Sequence, residues 1–157
     1  MTEKAEELSN RLILETTKGT VAIDMRPDLA PTHVARIKEL VRDGFYDGIV
    51  FHRVIDGFMA QTGCPEGTGT GGSGKKLKAE FNREPHVRGT ASMARAANPD
   101  SGDSQFFICF DDATFLDGKY TVWGKVTSGM ENVDKIKRGE PVVDPDRIIS
   151  ARMASAQ

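Results

Sequence analysis

The chain has 157 residues, of which 38% are hydrophobic and 28% charged, and a formal net charge of −2. That length supports one domain with a real core, and the composition is globular rather than disordered. Charges of both signs are interspersed, which gives no footprint for nucleic acid or an anionic membrane, and no apolar run approaches the ~20 residues of a membrane span.

Residues 1–10 are charged and lack the apolar core of a secretory signal, so they read as a leader ahead of a single domain over 11–157. Arg11–Thr17 and Thr20–Met25 flank Lys18-Gly19. In the second run Val21, Ile23 and Met25 alternate with polar or small residues, and period two around a glycine turn predicts a β-hairpin. Pro31 opens a helix to about Asp43, because the missing proline N–H costs nothing at the first helical position. Ala30, Val34, Ile37 and Val41 share its inner face with Leu40 beside them, and Gly44 supplies the stop. Further strands are expected at Val50–Val54, Phe58–Thr62, Gly89–Met93, Phe106–Phe110, Thr121–Val126 and Arg147–Met153. Ser128 and Glu131 have capping-box spacing, which predicts a second helix with Met130, Val133 and Ile136 inward and Gly139 at its end. Many short strands between two helices disfavour a parallel βαβ sheet. They favour a closed antiparallel barrel, which removes exposed sheet edges.

The two cysteines, Cys64 and Cys109, have no CxxC spacing and read as free thiols of a reducing cytosol. Cys109 sits in an apolar run as a small core residue, and Cys64, between Gly63 and Pro65, is expected to be more exposed. The loop Gly67–Lys76 contains Gly69-x-Gly71-x-x-Gly74 and most of a P-loop, but Lys76 replaces the required Ser or Thr. Pro65 breaks the approach and no crossover helix follows, so the loop reads as flexible and solvent-facing. His33, His52 and His86 share no metal-ligand spacing, and His52 is expected to be a hydrogen-bonded structural residue. For most phenylalanines, core packing is the expected role.

The run F-H-R-V-I-D-G-F-M-A-Q sets Arg53 among large apolar side chains and ends in Gln61, and a second run sets Gln105 beside Phe106 and Phe107. A greasy site with a few hydrogen-bonding groups, and no nucleophile paired with a base, suits a reaction that breaks no covalent bond. Arginine is rarely buried without a partner. Arg53 is therefore either paired structurally, with Asp56 or Glu80 as the nearby carboxylates, or functional; spacing alone leaves both open.

Those two runs, together with G-T-A-S-M-A-R-A and F-L-D-G-K-Y-T-V-W-G-K-V, resemble the cyclophilin family of peptidyl-prolyl cis–trans isomerases in order and spacing, from about Leu12 to Ala154. The resemblance implies an all-β fold, a closed eight-stranded antiparallel β-barrel capped by two α-helices. It implies rotation about X–Pro bonds in peptides and folding proteins, with no cofactor and no metal. The compact loops are similar to those of prokaryotic cytosolic members, so a cytoplasmic protein is expected, and no apolar patch in the sequence argues for more than a monomer. Carried over residue by residue, Arg53 would be the catalytic arginine, Gln61 would hold it and bond the substrate backbone, and Gln105 would be a second polar contact. Phe58, Met59, Phe107 and Leu116 would form the proline pocket, with Ala94 and Arg95 along the peptide groove. Three positions depart from the family pattern: Arg95 stands where many members have asparagine, Tyr120 where many have histidine, and Phe115 where cyclosporin-sensitive members have tryptophan. Phenylalanine lacks the indole N–H, so weak cyclosporin binding is expected. A proline-peptide chaperone or adaptor with incidental catalysis is the competing reading. The intact Arg53, Gln61 and Gln105 set favours the enzyme.

Overall fold

The computed structural model describes residues 8–154, so most of the leader assigned to 1–10 lies outside the described residues. Strands β1 (Arg11–Thr16) and β2 (Gly19–Met25) form the expected hairpin, with Thr16 opposite Gly19. Gly19 turns the chain at φ +127°, a conformation side chains rarely adopt. Helix α1 (Pro31–Arg42) follows, burying His33, Val34, Ile37, Leu40 and Val41. It stops as predicted at Gly44, where φ is +74° and the N–H groups of Gly44 and Phe45 return to the carbonyls of Val41 and Leu40.

The remaining strands are β3 (Arg53–Ile55), β4 (Met59–Thr62), β5 (Thr90–Met93), β6 (Phe106–Cys109), β7 (Val122–Ser128) and β8 (Ile148–Met153). All pairings are antiparallel, in the order β3-β4-β6-β5-β7-β2-β1-β8. The sheet is an open half-barrel, which corrects the expectation of a closed barrel. Its end strands β3 and β8 share no ladder. Isolated bridges at Val50–Arg147 and Val54–Gly139 stand in for one, with single bonds such as Phe51 N–H to the Asp146 carbonyl at 2.8 Å. The chain crossing that seam contains Pro141 and Pro145, and a proline cannot donate to a ladder.

The second helix is also shorter than expected. Helix α2 covers only Met130–Val133, and Gly129 in a left-handed conformation is its N-cap, without a side-chain bond. Ser128 is drawn into β7 opposite Ala22 and so cannot cap the helix. Val133 and Ile136 still reach the core.

Apolar side chains form two clusters. The larger joins Leu12, Leu14, Ile23, Ile37, Phe106, Ile108 and Trp123 inside the half-barrel. The smaller contains Met59, Phe107, Cys109, Ala113 and Leu116, with Phe58, Ala94 and Tyr120 packed against it. Strand β6 feeds both, Phe106 and Ile108 to one and Phe107 and Cys109 to the other. Because side chains alternate along a strand, the small cluster lies on the opposite, outer face of the sheet.

Candidate active site

Antiparallel register assembles the site on that outer face. Arg53 on β3 faces Gln61 on β4, Gln61 faces Phe107 on β6, and Phe107 faces Ser92 on β5. Directly opposed residues point to the same face, so these four form one row across four strands. Over the row opens a cavity of about 130 Å³ lined by Arg53, Phe58, Met59, Gln61, Ala94, Arg95, Phe107, Leu116 and Tyr120. Leu116 enters from a 3₁₀ turn, Thr114–Leu116. Phe115, on the same turn, stays 65% exposed and meets Phe58 at the mouth in a tilted pair, ring centroids 5.6 Å and planes 38° apart.

A chain of polar contacts crosses the floor. Arg53 Nη1 donates to Gln61 Oε1 at 3.2 Å, and Gln61 Nε2 donates to Gln105 Oε1 at 2.9 Å. Gln105 Nε2 in turn donates to the carbonyls of Gly69 and Gly71, both at 2.9 Å. Each bond fixes which end of the next amide points where. The carboxylate on Arg53 is neither of the two considered from sequence. Arg53 Nε donates to Glu140 at 2.7 Å, while Asp56 binds Arg138 and Glu80 binds His33. Glu140 lies 87 positions from Arg53, beyond any local sequence signal.

Gln105 itself lines a neighbouring cavity of about 170 Å³, together with Gln61, Gly69, Thr70, Gly71, Lys76, Ala94, Arg95, Ser101 and Asp103. The glycine loop therefore forms a wall of this second cavity. It is also pinned, contrary to its reading as a free, solvent-facing loop. Asp103 accepts from the Ser73 N–H and hydroxyl and from the Gly74 N–H, and Cys64 Sγ accepts from the N–H groups of Gly69 and Gly71 at 3.3 Å. Cys64 is fully buried rather than exposed. Burial pushes its pKa up, but the converging backbone N–H groups of Gly71, Gly69, Thr68 and Glu66 together outweigh that and hold the thiol below its ordinary value. Cys109 has no such donors, and burial pushes it up to about 12.

Arg95 straps the far rim. Its guanidinium donates to the carbonyls of Lys119, Ala96 and Ala97 and lies 4.5 Å from the centre of the Tyr120 ring. Two of the three departures from the family pattern, Arg95 and Tyr120, thus contact each other. Behind Phe107, the buried His86 ring stacks at 6.1 Å. Burial lowers its pKa against the opposing pull of Asp117. The ring Nδ1 lies 3.0 Å from Asp117 and Nε2 lies 2.9 Å from the Ser92 hydroxyl oxygen, whose proton goes to the Thr121 carbonyl at 3.1 Å. His52, expected to be hydrogen-bonded, instead has a buried Nδ1 without a protein partner.

Fold and site together define a mainly-β protein of cyclophilin type, with an arginine–amide row under a cavity of mixed apolar and polar lining. The family model for cyclophilin type peptidyl-prolyl cis-trans isomerase/CLD matches residues 11–153, and the chain belongs to that family. A Brucella suis protein that carries the name "Probable peptidyl-prolyl cis-trans isomerase" is 54% identical, the match covering 96% of this chain and 85% of that protein. A peptidyl-prolyl cis-trans isomerase of Helicobacter pylori is 48% identical, covering 87% of each chain. Among solved structures, a cyclophilin from Hirschia baltica superposes with a TM-score of 0.86 at 34% identity, over 93% of this chain and 74% of that one. A cyclophilin type isomerase of Cryptosporidium parvum, crystallised in the presence of the dipeptide Ala-Pro, gives 0.86 at 27% identity, over 93% and 99%. No helix among the described residues is long and apolar enough to cross a membrane.

Proposed function

We propose that this cyclophilin-type isomerase rotates X–Pro bonds with Arg53 as its catalytic donor. The observation that carries this is the Arg53 guanidinium in the wall of the cavity, beside Phe58, Met59, Phe107 and Leu116 and tethered through Nε and Nη1. Its Nη2 has no protein partner among the described residues.

Rotation must break amide resonance against a barrier of ~18–20 kcal/mol, so uncatalysed exchange takes tens to hundreds of seconds. In the twisted transition state the proline nitrogen turns pyramidal and exposes a lone pair. An N–H aimed there bonds better in the transition state than in the planar ground state, and only such a difference accelerates a reaction. Guanidinium suits this role because it stays charged and presents donors in a rigid fork. Even a ~10⁵-fold acceleration needs ~7 kcal/mol, and one well-placed donor supplies ~3–4 kcal/mol. The remainder falls to the cavity. Phe58, Met59, Phe107 and Leu116 hold the proline ring and move the imide out of water, which favours the less polar twisted form. Gln61 spends one amide hydrogen on Gln105 and keeps the second for a substrate carbonyl.

The substrate class is proline-containing peptides, with folding proteins as the larger clients, and Ala94 and Arg95 line the groove they cross. The Ala-Pro present with the Cryptosporidium relative supports that class. We further assign the enzyme to the cytoplasm, as a single-domain monomer with weak cyclosporin binding.

Cis-to-trans exchange of an Ala-Pro-Phe-type peptide, read by isomer-selective proteolysis, tests the reading with wild type and Arg53→Ala side by side. Fast exchange by wild type and a fall in kcat of about 10²-fold or more in the variant is expected. Equal rates from both proteins would move catalysis onto the pocket and amides. No exchange by folded wild type would leave a proline-peptide binder.

A further inference from the structure

We infer that Glu140 is a positioning residue for Arg53, orienting the guanidinium from the seam where the half-barrel stays open. The inference rests on the isomerase reading above and adds a residue that neither the motifs nor the cavity lining includes.

Strand β3 ends the sheet, and the turn Gly139-Glu140-Pro141 lies along its free edge. The N–H of Gly139 donates to the Val54 carbonyl and the N–H of Val54 to the Gly139 carbonyl, both at 2.8 Å. In an antiparallel pair the next residue on one strand opposes the previous one on the other. Gly139 opposite Val54 therefore sets Glu140 opposite Arg53, so the backbone register delivers the contact. Glycine is needed for the turn that follows, because a Cβ at 139 would come within 2.8 Å of the Pro141 carbonyl oxygen and the Val142 Cα.

The contact is a charge-assisted bond of 2.7 Å from Arg53 Nε to Glu140 Oε2. Arginine has several freely rotating bonds, and a single tether at Nη1 would leave its plane free to swing about that point. A second tether at Nε, on the other side of the guanidinium carbon, fixes the plane. It also leaves Nη2 uncommitted, so the carboxylate orients the fork without occupying the donor left for the substrate. The Glu140 side chain is 58% exposed and that of Arg53 40% exposed. Such a pair adds little to stability, so replacing Glu140 separates positioning from folding.

The experiment compares wild type, Glu140→Gln, Glu140→Ala and Glu140→Asp, together with Arg53→Ala and the Arg53→Ala/Glu140→Ala double variant. It records kcat and KM on the Ala-Pro-Phe-type peptide, the Tm, and the NMR resonance of the Arg53 Nε–H. The expected result for Glu140→Gln and Glu140→Ala is a loss of about three- to tenfold in kcat with KM held within about twofold. Glu140→Asp should fall between them and wild type, and Tm should be unchanged. Glu140→Ala should cost nothing further once Arg53 is alanine, since its effect runs through that side chain. The Arg53 Nε–H resonance should move and exchange faster with water in Glu140→Ala. An unchanged or raised kcat in Glu140→Ala would overturn the inference, the latter by showing that the carboxylate competes for the arginine. Equal losses with and without Arg53 would overturn it as well. An inactive wild type would instead defeat the isomerase reading, and an unmoved Nε–H resonance would then defeat the positioning contact on its own.

Discussion

Phe115 presents a bare hydrocarbon ring at the mouth of the cavity, 65% exposed and packed at a tilt against Phe58. An indole at the same position would add an N–H on the open side of the site without having to repack the core. One neutral hydrogen bond is worth ~1 kcal/mol net, so Phe115→Trp is expected to bind cyclosporin about two- to tenfold more tightly. Titration calorimetry on the two proteins checks this, and similar potency would show that the missing donor does not limit binding. Residue identities of this kind were legible in the sequence, because Arg53, Gln61, Phe107 and Leu116 sit in motifs with fixed local spacing. What each side chain touches was less so. Asp56 lies three residues from Arg53 and yet binds Arg138, while Glu140 takes the arginine from 87 positions away.

At the level of elements, the glycine loop shows how local composition misleads. Gly67, Gly69, Gly71, Gly72 and Gly74 imply freedom, since glycine leaves the backbone more conformations than any other residue. The loop is nevertheless held by Asp103 on three donors and Gln105 on two carbonyls, both distant in sequence, and by the nearby Cys64 on two N–H groups. The buried Asp103 carboxylate is the strongest of these anchors. Asp103→Ala strands the Ser73 and Gly74 donors and is expected to lower stability by about 1–3 kcal/mol. Urea unfolding should show this as a lower midpoint with an unchanged slope. An unaltered midpoint would mean that water replaces the carboxylate at no cost and that the loop is as free as its composition implies. The hairpin at Gly19, helix α1 and the strand runs were readable because period and turn chemistry are local. The truncation of α2 and the open seam were not, because pairing of Ser128 with Ala22 and the prolines between Gly139 and β8 act through tertiary contacts.

Across the whole molecule, the three histidines share one electrostatic situation. His33, His52 and His86 are all buried, and in each case desolvation is the largest cause holding the pKa below its ordinary value. Glu80 opposes that shift at His33 and Asp117 at His86, while Arg53 reinforces it at His52. The unfolded chain has no such burial and takes up protons near the ordinary histidine value of about 6.5. Just below that pH the unfolded state binds more protons than the folded one, so acidification favours unfolding. Stability is therefore intact above about pH 6.5 and declines as the pH falls from there toward the folded-state pKa values. A second decline follows at lower pH. Glu80 and Asp117 are held below their ordinary values by hydrogen bonds that include those from His33 and His86, and this stability is lost as the carboxylates protonate. Thermal unfolding at intervals from about pH 7.5 to 4 should thus show Tm falling in two stages, the first from about pH 6.5. Imidazole resonances should titrate below the free-histidine midpoint for all three rings. A Tm that stays level or rises between about pH 7 and 5 would show that the Glu80 and Asp117 pairings outweigh desolvation, leaving the buried histidines charged in the native protein.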